Sequence, residues 1–282
     1  MAASTDRVGD DEALYVSAGP DRYLIWRGQR LKIGPSWVPD VLGFGSAVAT
    51  PVTAQWLDLL PSGPQITPAA PADRGRPGPV VGGARATIGE IFQAGSGGGA
   101  TAHYLTLPNG LAPLTATEYA LASADPGVPA ERSISPADLA AATRVAMPAD
   151  QSALPADPPL VHALARGVSA CLEYPGQTDP KAVEVVRWSV PTAERPAATD
   201  SGAPASATVA VTPNGGALVG TDPSVAVKDQ PQALIDDTGR AYPLTSDAIT
   251  ALGYSAEQGA IVPPAWLLLL PHGPLLTTPG KG

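Results

Sequence analysis

The sequence predicts an α+β fold: an elongated, central β-rich core flanked by small repeat lobes, each a β-hairpin plus short helices, with quasi-twofold symmetry. Three observations predict it. A segment near the start of the chain returns near its end; 33 Pro and 30 Gly cut the sequence into short elements; and β-rich stretches too short to fold alone lie between the repeats.

Residues 23–67 align without a gap on 233–277. The identities include Leu24/Leu234, Ile25/Ile235, Arg30/Arg240, Leu42/Leu252, Gly43/Gly253 and Val52/Val262, with an aromatic pair at Phe44/Tyr254. They culminate in one block, Trp56, Leu60, Pro61, Gly63 and Pro64 against Trp266, Leu270, Pro271, Gly273 and Pro274. Each copy reads as strand, Gly-containing turn, strand, with Asp237-Thr238-Gly239 supplying hairpin-turn residues. Ser36 and Ser246 stand where a helix N-cap belongs, and Gly43 and Gly253 where that helix should end. Pro51 or Pro263 leads into a second short helix, stopped by Pro61 or Pro271. Trp266 and Leu270 are expected to face their own hairpin, as Trp56 and Leu60 face theirs.

A third, diverged copy occupies 102–124, with Asn109-Gly110 at its turn, and Ser135-Pro136 opens a second helix. It lacks both the tryptophan and the Pro-x-Gly-Pro corner. Residues 68–84 and 191–207 read as Pro/Ala/Gly-rich linkers or surface loops. The β-rich 83–93, 181–190 and 207–221 are expected to share a central sheet. The resulting division is 13–70, first lobe; 71–101, linker and core strands; 102–147, second lobe; 148–222, core strands with linkers and a degenerate repeat; and 223–279, last lobe.

Composition narrows the function classes. Net charge is -9, with 17 basic residues in no dense cluster, which argues against a nucleic-acid partner. Neither the polar start nor "AWLLLL" is long and apolar enough to span a membrane. No catalytic, cofactor or metal site is expected. A P-loop needs Gly-Lys-Ser/Thr after a glycine turn, and "AGSGGGA" (94–100) has no lysine after it. His103, His162 and His272 have no ligand spacing to each other or to Cys171, which reads as a small buried residue. "GVSAC" (167–171) places Cys171 where a nucleophile elbow needs glycine, and no strand is evident before it. Asp10-Asp11-Glu12 and Asp236-Asp237 read as solvated turn carboxylates.

Taken in order, the "LG"-terminated helices, the "LLPSGP" and "LLPHGP" corners, and "YLTLPNGLAPLT" (104–115) resemble the extracytoplasmic region of the EccB family, membrane components of type VII (ESX) secretion systems. The similarity runs over most of 13–279. It implies a single-pass membrane protein, its anchor N-terminal to this chain, with an elongated envelope domain carrying four repeat lobes on the extracytoplasmic face. It also implies a structural role in assembly or gating, with other components of the secretion membrane complex, and copies of itself, as partners. Family members often carry paired cysteines here, whereas this chain has Cys171 alone; some members are described as ATPases, for which these residues offer no motif. The alternative is a cell-wall-binding module, since similar repeats occur in a wall-binding phage lysin subunit and Trp26 and Trp37 could stack on sugars. Leu268, which replaces Asp58 of the first copy, is expected to be buried against another lobe or a partner.

Overall fold

The computed structural model describes residues 4–95, 101–148, 153–162, 164, 168–173, 184–189, 215–222 and 224–278. Residues 96–100, the linker 191–207 and the first part, 207–214, of the β-rich segment 207–221 lie outside them. In chain order the elements are β1 (Ser4–Arg7), β2 (Glu12–Ala18), β3 (Asp21–Trp26), β4 (Gln29–Lys32), α1 (Val38–Val41), β5 (Thr50–Pro51) and α2 (Ala54–Asp58). A hairpin follows, β6 (Pro77–Val81) and β7 (Ala84–Thr87), and then the second repeat: β8 (Ile91–Gly95), β9 (Thr101–Leu107), β10 (Gly110–Pro113), α3 (Ala116–Ser123), β11 (Arg132–Ile134) and α4 (Pro136–Ala141). Next come β12 (Leu160–His162), β13 (Val168–Glu173) and β14 (Glu184–Ser189). The last repeat holds β15 (Ala217–Gly220), β16 (Gln232–Ile235), β17 (Ala241–Leu244), α5 (Ser246–Ala251), β18 (Ala260–Ile261) and α6 (Pro264–Leu267).

The fold is α+β, with many strands in several small sheets and few helices. Each repeat is larger than its sequence identities show. A lead strand (β2, β8 or β15) pairs antiparallel with the first hairpin strand (β3, β9 or β16), which pairs with the second (β4, β10 or β17). After the first helix a short strand (β5, β11 or β18) returns parallel to the lead strand, as a helical crossover permits.

The expectation of one shared central sheet is corrected by this arrangement. Of the strands assigned to it, β8 and β15 are lead strands, β7 pairs with β6, and β14 pairs with β1 and β13. A hairpin alone leaves its inner edge unpaired, so each repeat recruits a strand from upstream of its recognisable sequence. For the same reason residues 68–84 are not merely a linker, because β6 lies within them.

The gapless alignment conceals a slip. Ile25 pairs with Arg30 across a two-residue turn, Arg27-Gly28, whose φ angles of 46° and 68° are both positive. Ile235 pairs instead with Ala241, across a turn one residue longer, closed by Asp236 N–H donating to the Arg240 carbonyl and with Gly239 at φ 77°. Arg30 and Arg240 match in sequence but not in sheet register. The last repeat recovers the residue before its helix: Thr245, not Ser246, is the N-cap, its hydroxyl accepting from Ala248 N–H at 3.3 Å. Ser36 is no cap either, since α1 starts after Trp37 without a side-chain cap.

Both first helices end as the glycines predict. Gly43 (φ 84°) donates to the Asp40 carbonyl and Phe44 N–H to that of Pro39; Gly253 (φ 81°) and Tyr254 do the same to Thr250 and Ile249. This paired closure is the Schellman motif. Alternation along β2 sends Ala13 and Tyr15 into one cluster with Leu24, Leu31, Phe44 and Leu121 of α3, and Leu14 and Val16 into another with Ile25, Leu57 and Leu60.

A Cβ at Gly43 or Gly253 would touch nothing within 4 Å, so an alanine there meets only backbone strain. Gly43→Ala and Gly253→Ala are each expected to cost about 1 kcal/mol, read as a lowered urea midpoint with unchanged slope.

Candidate functional site

The corner that follows the second helix pairs with the outer edge of each hairpin. In the first repeat Arg30 N–H donates to the Pro61 carbonyl at 3.0 Å, Gly63 N–H to Arg30 at 3.0 Å, and Ile66 N–H to Lys32 at 2.8 Å. In the last, Ala241 N–H donates to Pro271 at 2.9 Å, Gly273 N–H to Ala241 at 2.8 Å, and Leu276 N–H to Pro243 at 2.9 Å. Pro64 and Pro274 lack the N–H that an edge residue facing outward does not need. Gly63 and Gly273 are set by close approach. A Cβ on Gly273 would overlap the Tyr242 ring, and one on Gly63 would come 2.7 Å from the Gln29 amide oxygen.

The second repeat closes the same edge without the motif. Leu111 N–H donates to Thr143 at 2.8 Å and Val145 N–H to Leu111 at 3.0 Å. Sequence comparison missed Thr143 and Val145, whose only signal is their place just after α4.

The two tryptophans differ in which interior they enter. Trp56 packs half-buried beside the cluster of Leu14, Val16, Ile25, Leu57 and Leu60. Trp266 packs against that same cluster, in the first repeat. Leu60 and Leu270 are both buried. Val185 of β14 joins the cluster too, so one apolar interior serves the first repeat, the β1–β14–β13 sheet and the end of the chain.

Leu268 is not buried against another lobe: 78% of it is exposed. Its counterpart Asp58 pairs with Arg30, which also donates to the Ser62 hydroxyl at 3.1 Å. The register slip moves Arg240 away from that role, and it donates to the His272 carbonyl at 3.1 Å, so Leu268 has no cation to serve. Trp26 and Trp37 are half-buried against the Leu24–Phe44 cluster. The Trp26 indole donates to the Asp10 carbonyl at 2.8 Å and carries the Arg27 guanidinium on its face.

Three polar clusters tie separate segments of the chain together. Glu12, expected in a solvated turn, is a junction: it accepts from Gly9 N–H at 3.1 Å and pairs with Arg187 of β14 at 3.1 Å and His162 of β12 at 3.0 Å. The Gly9 amide, with Arg187 and His162 beside it, holds its carboxyl below the usual range despite burial. His103 stacks on Tyr119, and both hydrogen-bond Glu131. Burial, then the Glu131 carboxylate, raises the phenol above its ordinary value. Arg74 pairs with Asp125 at 2.7 Å and, with the Gly127 amide, holds that carboxyl low.

Ser169 lies inside β13, opposite Trp188, rather than on a strained turn, so Val168–Cys171 of "GVSAC" belong to a strand. Burial pushes the Cys171 thiol up, away from the thiolate a nucleophile requires. Among the described residues no group of three or more His, Cys, Asp or Glu could hold a metal ion, and no helix is long and apolar enough to cross a membrane.

Gly273→Ala is expected to cost about 1–3 kcal/mol by overpacking, and Gly63→Ala less, because the Gln29 side chain can swing aside; equilibrium urea unfolding ranks them. Glu12 has a pH signature. Its folded pKa is depressed, so its contribution is complete above the unfolded carboxylate value and is lost as pH falls through the folded one. Glu12→Gln should therefore lower the urea midpoint at neutral pH, and the gap to wild type should close in acid; a pH-independent gap would rule out the ionised pair.

A family model described as type VII secretion system ESX-1, transport TM domain B, matches residues 1–280. The ESX-2 secretion system ATPase EccB2 of Mycobacterium tuberculosis is 33% identical over 106 residues, which are 36% of this chain and 21% of that protein. The match thus spans well under two thirds of that relative's length. Among solved structures, the EccB3 dimer from the ESX-3 core complex superposes with a TM-score of 0.72 at 23% identity, over 98% of this chain and 74% of that one. The periplasmic assembly from the ESX-5 inner membrane complex gives 0.71 at 23% identity, over 97% and 70%. At these identities the structures establish a shared fold. With the family model extending over nearly every residue, the chain belongs to the type VII secretion EccB family.

Proposed function

We propose that this chain is the envelope-exposed domain of a type VII secretion membrane complex, a non-catalytic scaffold that works through protein-protein contacts in assembly or gating. A membrane anchor N-terminal to it would hold it at the extracytoplasmic face. The observation that carries this reading is the interlock of the first and last repeats through Trp266, which builds one firm body from small units whose hairpin edges are already sealed. Such a body offers side-chain surfaces rather than open strands to its partners. Family membership and the likeness to domains solved within ESX inner membrane complexes support the same reading.

The wall-binding alternative draws less support, because the two tryptophans it would use are engaged in the first lobe. The ESX-2 relative is named an ATPase; nothing in the geometry described above calls for nucleotide chemistry in this chain. In detergent extracts, the tagged full-length protein is expected to copurify with the other membrane components of its secretion complex. Recovery of the protein alone, or its retention on purified wall material, would overturn the scaffold reading.

A further inference from the structure

The second and last repeats are joined to the first in different ways. The second is stitched on. Leu121 of α3 is fully buried in the cluster of Leu24, Leu31 and Phe44. Thr117 N–H of the same helix donates to the Ala156 carbonyl at 3.1 Å, and that segment runs on as β12 to pair with β2. The last repeat has interiors of its own. Alternation along β15 sends Leu218 into a cluster with Leu244, Ala248 and Ile249, and Val219 into another with Ala233 and Val262. The buried Gln232 amide donates to the Val227 and Ala256 carbonyls, and the ion pair Lys228–Glu257 is internal too. Among the described residues, Trp266 is the one side chain of this repeat that lies in an apolar cluster outside it, and it is half-buried.

We infer that Trp266 is a latch: unseating this one side chain frees the last repeat to move as a folded unit. Its use in gating rests on the scaffold reading above. An apolar contact is non-directional and can be parted without opening a hydrogen-bond ladder. Parting the second repeat would instead break backbone pairing and bare Leu121. The helix that carries the latch is also the less firmly set of the two. In α2 the Thr53 hydroxyl accepts the Trp56 N–H at 3.2 Å, whereas α6 has Pro263 at that place and no side-chain cap. A partner that binds the unlatched arrangement more tightly shifts the balance by its difference in affinity for the two. The domain is firm while Trp266 is seated and jointed once it is not.

Fluorine NMR of the 282-residue chain labelled with 5-fluorotryptophan reads the latch in the unaltered sequence, with Trp266→Phe assigning its resonance among the five. In urea well below the unfolding midpoint, that resonance should move to a second environment while those of Trp26 and Trp37 keep their native positions. By hydrogen exchange, Trp266→Ala should speed the Leu57 and Leu60 amides at least tenfold and leave the Ala241 and Val262 amides of the last repeat unchanged; Trp266→Phe should restore most of the protection. Loss of all the tryptophan signals in one transition, faster exchange at Ala241 and Val262 as well, or unchanged exchange at Leu57 and Leu60 would each overturn the latch. None of these touches the scaffold reading, which falls if the unaltered full-length protein fails to copurify with its complex.

Discussion

A β-hairpin of four-residue strands cannot stand alone, because both its edges present unpaired N–H and C=O groups and its faces bury too little apolar surface. Every repeat in this chain is organised around that constraint. The inner edge is taken by the lead strand, the lead strand's free side by a short parallel return, and the outer edge by the segment after the second helix. The helices are only as long as needed to carry the chain from one edge to the next. What looks like a compact motif, Trp-x-x-Leu-Leu-Pro-x-Gly-Pro, is therefore two devices in series: an apolar helix that lids one face of the sheet, and a corner that seals its edge.

The corner shows why a motif can vary while its task does not. Gly63 and Gly273 are needed because the closing segment presses on Leu31 and Tyr242. In the second repeat the glycine sits on the hairpin instead, where a Cβ on Gly110 would come 2.5 Å from the Thr143 carbonyl, and the closing segment is free to use threonine and valine. Only one side of the contact has to give way. Likewise the extra turn residue in the last hairpin is offset by a shorter approach to α5, so the two copies keep equal length while Arg30 and Arg240 take different roles.

Hairpins, helix stops and the Pro-x-Gly-Pro corners were legible in the sequence because each depends on residues with a strong local preference: glycine at positive φ and proline at a helix end. The pairing of the lead strands was not, since "IFQAG" and "ALVG" show themselves as β-rich but share nothing that names a partner. Their partners are chosen by edges the sequence does not display. Burial of Leu268 against another lobe failed for a related reason: an apolar side chain replacing an acid signals burial within the chain only if its surroundings stay the same, and the slip in the neighbouring hairpin had already removed the arginine that made the acid useful there. Trp266 was recognised as an anchor, but its place in the first repeat's interior was not, because sequence alignment pairs equivalent residues and says nothing about which copy's interior they enter.

That last contact couples the two ends of the chain in time as well as in space. The interior of the first repeat lacks one wall until residue 266 emerges, about 200 residues after Leu60, which at ordinary synthesis rates is on the order of 10–40 s. During that interval Leu57 and Leu60 wait with part of their cover missing, exposed to whatever handles nascent chains. A product that stops short of the final helix would leave the same wall open permanently, so the wholeness of the C-terminus is registered in the solidity of the N-terminal lobe.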